Sequence, residues 1–178
     1  MRRANELLTQ YAEYHRDRRN IATHFVGVPM IVFAVGVLLS RPAFELGGWQ
    51  LTPAWIVFAL TALWWLTRGS VALGMAVSVA TAVLLLAAQR VTEGSSTTTW
   101  LAWGIVSFVV GWIIQFVGHY YEGRKPAFVD DLTGLLVGPM FVTAEAMFAA
   151  GWNPALLQEI ERRAGPTVMR DLTSPATR

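Results

Sequence analysis

Three histidines, His15, His24 and His119, are the only imidazoles in this chain, and it contains no cysteine at all. The missing thiols exclude disulfides, iron-sulfur clusters, thiolate zinc sites and cysteine nucleophiles, so any metal bound here takes nitrogen and oxygen ligands. Imidazole is the commonest protein metal ligand. Three of them with a carboxylate beside them complete a ligand set for iron(II) or zinc. Glu122 supplies that carboxylate, because three residues from His119 it shares a helix face with it, and Asn20 and His24, four apart, share another. His15 and His24 are nine apart, which puts them on opposite sides of an unbroken helix, so their convergence requires a bend between them. Taken singly, each histidine also fits an interfacial polar tip. Tyr11 and Tyr14 fit interfacial belt positions better than catalytic ones.

The elements that carry these residues are membrane elements. Of the 178 residues, 54% are hydrophobic and 15% charged, whereas a soluble domain carries about 25% charged residues. The length allows one integral membrane domain, residues 1–178, with no room for a separate soluble catalytic domain. The first twenty residues lack the small-residue cleavage pattern of a signal peptide and belong to the mature structure. The net charge of +2 and the placement of basic residues at the ends of apolar runs speak for topology and against nucleic acid.

Residues 3–20 place Leu7, Leu8, Tyr11, Tyr14 and His15 at helical spacing, an amphipathic helix at the membrane surface. Apolar runs at about 21–40, 54–67, 70–89 and 100–118 predict four spans, with a kink at Pro29 in the first and Trp49, Trp55, Trp64 and Trp65 flanking the second. The stretch 47–53 reads as a short loop. Small residues four apart in the third span (Ser70, Gly74, Ser78) and glycines seven apart in the fourth (Gly104, Gly111, Gly118) predict close helix packing. The last apolar stretch, 128–152, holds Asp130, Asp131, Gly138-Pro139 and Glu145 and is either a fifth span or a re-entrant pair of half-helices. Re-entry puts twelve basic residues on the histidine side against two, Arg41 and Arg90, on the other, whereas five spans give eight against six; the positive-inside rule favours re-entry. The fold class is thus all-α, a polytopic membrane helix bundle of four spans plus a re-entrant or fifth broken helix and an N-terminal amphipathic helix.

Two separated stretches, Tyr14-His15, Asn20-Ile21-Ala22, His24 and Val28-Pro29, then Gln115-Phe116, Gly118-His119, Glu122, Pro126-Ala127 and Asp130, resemble the membrane 2-hydroxy fatty acid dioxygenases. The resemblance runs through Pro139 and Glu145; the middle spans match only as apolar sequence. It implies an Fe(2+)-dependent α-oxidation in which a 2-hydroxy fatty acid and dioxygen give a fatty acid one carbon shorter. It also implies that His15, His24 and His119 hold the iron. Glu122 is expected as a fourth ligand or as a partner of one, Asn20 as a group that orients the hydroxy acid, and Arg18, Arg19 or Arg124 as holders of its carboxylate. The acyl chain is expected between spans. The site is expected near the cytosolic face of an inner or plasma membrane in a prokaryote, or of the endoplasmic reticulum in a eukaryote.

There is no nucleotide-binding glycine loop and no nucleophile elbow, and three histidines are too few for a diiron membrane hydroxylase. Two other readings use the same residues. A small transporter or assembly partner would use Asp130 and Glu145 in the broken segment, and a zinc-dependent lipid hydrolase would use the three histidines.

Overall fold

The computed structural model describes residues 3–68, 70–129 and 131–173. Asp130, Arg2, Arg178 and the side chain of Trp49 lie outside that description. The described residues form seven α-helices: α1 (Ala4–Ala12), α2 (Arg18–Leu38), α3 (Pro53–Leu66), α4 (Val71–Thr92), α5 (Thr97–Glu122), α6 (Gly134–Ala149) and α7 (Pro154–Ala164). A single hairpin, β1 (Phe44–Leu46) with β2 (Trp49–Leu51), fills part of the stretch expected as loop. Gly47 and Gly48 make its turn with φ of 58° and 82°, a backbone region that glycine enters without steric cost.

Three helices, α2, α4 and α5, are long and apolar enough to cross a membrane, and the chain is an all-α membrane protein. The expected second span is shorter than the others. Its helix, α3, has 14 residues, about 21 Å of rise against a bilayer core of about 30 Å. Pro53 at its first turn and Thr67 and Arg68 at its end set that length. The fourth span is longer than expected at both ends. Ser96 caps α5 by accepting the Thr99 N–H, and the helix continues to Glu122, where Gly123 stops it at φ 70°.

Helix α2 is the centre of the bundle, packed on both α4 and α5. The glycines of α5 form the expected seam: a Cβ at Gly111 would meet Gly27 and Ile31, and one at Gly104 would meet Leu38. At Gly118 a Cβ would overlap Thr23 and Asn20. The absent side chains therefore set how closely α2 and α5 approach, and with it the distance between His24 and His119. Gly74 does the same for α4, lying against the backbone of Trp65 and Leu66 in α3.

The amphipathic helix differs from its expected form. It ends at Ala12, and α2 begins at Arg18 rather than at Ile21, because Asp17 caps α2 by accepting the Arg19 N–H. Its apolar face is covered by protein: Leu7, Leu8, Tyr11 and Ala12 are buried with Phe141, Ala144 and Phe148 of α6 and Leu156 and Ile160 of α7. Helices α6 and α7 meet at 120°, with Gly151 (φ 88°) and Asn153 (φ 45°) in the corner. In the first turns of α6, Leu135, Leu136 and Pro139 share a cavity wall with Ile31 and Val35 of α2. From there the chain returns to α1, with Glu145 3.8 Å from Arg16 and the Gly165 carbonyl accepting from Arg16 at 3.1 Å.

Candidate metal centre

The break between α1 and α2 is what brings the histidines together. After α1 the chain turns at Glu13 to Asp17, and His15, completely buried, points back along the bundle between Tyr11 and His24. The turn is held from two sides. Glu122 at the end of α5 accepts the N–H of Arg16 (2.9 and 3.0 Å), the N–H of Asp17 (2.8 Å) and the side-chain amide of Asn20 (3.0 Å). The C-terminal segment straps the outside: Arg18 donates to the Val168 carbonyl, Val168 to the Arg16 carbonyl, and Arg170 to the Asp17 carboxylate. Burial opposes ionisation of Asp17, but hydrogen bonds from Arg19 and the Arg170 backbone win and hold its pKa at about 2. It is a carboxylate that organises a turn.

The three imidazoles form one cluster, with ring centroids 4.4 Å apart for His15 and His24, 5.0 Å for His15 and His119 and 5.2 Å for His24 and His119. One candidate ligand atom from each lies within 4.8 Å of the others. The tautomers follow from their partners. His15 Nδ1 meets the Tyr11 carbonyl at 2.7 Å and His24 Nδ1 meets the Asn20 carbonyl at 2.8 Å. A carbonyl only accepts, so both Nδ1 atoms carry the proton. Their Nε2 atoms then both present lone pairs, and these face each other across 3.0 Å.

Two neutral acceptors at that distance repel unless a cation lies between or beside them. The separation fits a metal site, since two bonds of about 2.1 Å at roughly a right angle span about 3 Å. The third ring agrees: His119 Nδ1 is buried without a hydrogen-bond partner. Burial first, then the neighbouring His24 and His119, push the His15 pKa well below the ordinary imidazole range, keeping the neutral form that metals bind. Tyr11 stacks on His15 at 4.1 Å and 5°, and Phe141 closes its other flank at 5.3 Å. The donor set and its surroundings therefore fit a divalent metal held by three nitrogens.

The other expected site residues stand around the cluster. Glu122 lies outside the group of mutually close ligand atoms and spends both oxygens on the turn that carries His15. Asn20 is completely buried and donates to Glu122 and to the Tyr14 carbonyl, and its Oδ1 has no partner. Arg19 is engaged with Asp17, the Arg170 carbonyl and the Tyr121 ring, and Arg124 donates to the Glu13 carbonyl. Neither arginine nor Arg18 lines the histidine cavity. Tyr11, expected as a belt residue, is buried against His15 because α6 and α7 cover it. Glu145 sits opposite Arg16, whose buried guanidinium also donates to the Ala12, His15 and Gly165 carbonyls.

One cavity adjoins the cluster and a second shares part of its wall. The smaller, about 70 Å³, lies between His24, His119, Tyr11 and Gln115. The larger, about 290 Å³, runs beside α2 from Ile31 to Leu39 and is lined almost wholly by apolar side chains of α2, α3, α4, α5 and α6. Ile31, Val32, Trp112, Leu135 and Pro139 line both. Gln115 and Phe141 are site residues that the spacing argument passed over; Gln115 carried a signal, lying four residues before His119 on one helix face.

Fold and site together define a helical membrane protein with a buried three-imidazole centre opening on an apolar cavity. The family model described as "2-hydroxy-palmitic acid dioxygenase Mpo1-like" matches residues 1–150, and the chain belongs to that family of dioxygenases. It is similar to the 2-hydroxy-palmitic acid dioxygenase MPO1 of Saccharomyces cerevisiae, 29% identical over 154 residues that cover 85% of this chain and 83% of the yeast protein. No solved structure matches it significantly.

Proposed function

We propose that this protein oxidises 2-hydroxy fatty acids with dioxygen, using iron(II) held by His15, His24 and His119, and releases the fatty acid one carbon shorter. The observation that carries the reading is the pair of facing Nε2 lone pairs of His15 and His24, 3.0 Å apart and buried. The reaction balances with the two reactants alone. The bond between C1 and C2 breaks, C1 leaves as carbon dioxide, C2 becomes the new carboxyl carbon, and dioxygen supplies the oxidising equivalents with one water formed.

Iron(II), when bound, supplies the one-electron chemistry that ground-state dioxygen needs to react with a closed-shell acid. The chain supplies everything else. The Tyr11 and Asn20 carbonyls fix the ring tautomers of His15 and His24. Glu122 holds the turn that presents His15, and Asn20, hydrogen-bonded to it, positions the helix start that carries His24. The apolar cavity takes the acyl chain. From His24 to Leu39 the α2 backbone rises about 22 Å, a length suited to a long-chain acid, and burial of each methylene contributes about 0.8 kcal/mol. Val57 and Leu135 on its rim are exposed on the apolar flank of the bundle, a route for a substrate that arrives from the bilayer.

In the same reading the segment 128–152 re-enters the membrane from the histidine side, the single integral domain spans residues 1–178, and the metal lies near the cytosolic face. Anaerobic iron(II) reconstitution followed by air and 2-hydroxypalmitate tests the reaction. The expected product is pentadecanoic acid, absent without iron and in His119→Ala. A folded, iron-loaded protein that gives no shortened acid from any 2-hydroxy acid overturns it.

A further inference from the structure

Gln115 stands one helical turn before His119 on α5, and both side chains line the small cavity with His24 and Tyr11. Its side-chain carbonyl oxygen is buried and has no hydrogen-bond partner. An unpaired buried acceptor costs about 1–3 kcal/mol, and such groups persist where a ligand or an ordered water completes them. The amide is also tightly seated. A Cβ at Gly27 would lie 3.1 Å from Gln115 Nε2 and 3.2 Å from its Cδ, so the glycine of α2 makes the space this amide occupies. An acceptor held in place in the small cavity that His24 and His119 also line, which shares Ile31, Val32, Trp112, Leu135 and Pro139 with the larger apolar one, asks for a small donor attached to an alkyl chain.

Resting on the function proposed above, we propose that Gln115 accepts a hydrogen bond from the substrate's 2-hydroxyl group and thereby selects 2-hydroxy acids over unsubstituted fatty acids. With the tail in the larger cavity beyond Ile31 and Trp112 and the carboxyl end at the imidazoles, C2 falls between them, at the level of Gln115. A plain fatty acid offers a methylene there and leaves the amide oxygen unpaired. Sites built to bond a hydroxyl reject analogues that lack it much more strongly than apolar pockets reject an extra group.

The test is binding under argon, where no turnover occurs. Iron(II)-loaded protein in detergent is titrated with 2-hydroxypalmitate, palmitate and 2-fluoropalmitate, for the wild type, Gln115→Leu and Gln115→Met, with iron content measured alongside. The wild type is expected to prefer the hydroxy acid by at least about tenfold, the worth of one hydrogen bond. In both variants that preference drops by about tenfold while iron content stays as it was. The fluoro acid, which carries no donor, binds the wild type as palmitate does. A preference kept in the variants, or tight binding of the fluoro acid, overturns the proposal; the latter needs no variant to fold. Wild type that makes the shortened acid in air while the variants keep their preference refutes the role of Gln115 alone, and wild type that makes none refutes the underlying reaction.

Discussion

Glu122 grips the backbone of Arg16 with both carboxylate oxygens, at 2.9 and 3.0 Å, across 106 residues of sequence. With the Asp17 N–H and the Asn20 amide it joins the end of α5, which carries His119, to the turn that carries His15. Glu122→Gln replaces one acceptor by a donor facing buried N–H groups. We expect a loss of about 1–3 kcal/mol of stability and iron affinity about 10- to 100-fold weaker, read by thermal melting and metal content. Unchanged iron binding would show that the turn holds His15 without it.

Each histidine variant, His15→Ala, His24→Ala and His119→Ala, is expected to lose the metal. Saturating iron(II) at about a hundred times its Kd stabilises the wild type by about 2.7 kcal/mol and leaves the variants' melting temperatures where they were. A variant that still gains stability from iron identifies its histidine as a bystander.

The metal-free protein loses stability as pH falls. Burial lowers the His15 pKa well below 6.5, its ordinary value, so between 6.5 and its folded value the unfolded chain binds a proton that the folded chain does not. The contribution is fully present above pH 6.5 and declines below it by up to about 1.4 kcal/mol per pH unit. Denaturant unfolding at pH 7.5, 6.0 and 5.0 reads this directly. In His15→Ala the slope across that range becomes shallower.

Gly118→Ala places a methyl group into Thr23 and Asn20. Separation of α2 from α5 is expected to cost about 1–3 kcal/mol and to weaken iron binding, because His24 and His119 sit on the two helices forced apart. Gly151→Ala, with open space around it, adds backbone strain at φ 88° and leaves iron binding alone.

Filling the middle of the apolar cavity shortens the acceptable acyl chain. Val35→Trp, on the cavity wall beyond Ile31, is expected to lower turnover of 2-hydroxypalmitate while sparing 2-hydroxydecanoate. Equal losses for both acids would place the chain elsewhere.

Much of this protein was readable along the chain. Long apolar runs predict α2, α4 and α5 because a helix in lipid must satisfy its own backbone, and the glycines at 104, 111 and 118 mark the packed face of α5 because heptad spacing returns to the same side. The need for a bend between His15 and His24 follows from 100° per residue, and three imidazoles without a thiol already limit the chemistry. Tertiary structure decided what depends on contacts across the sequence. The burial of α1 under α6 and α7, the hold of Glu122 on the turn that carries His15, and the facing of two Nε2 lone pairs are set by residues far away in sequence or by neighbours that no local periodicity encodes. A hydrogen bond from Asp17 to Glu122 has no signature in either stretch, since its energy exists only when α5 and the turn are already side by side.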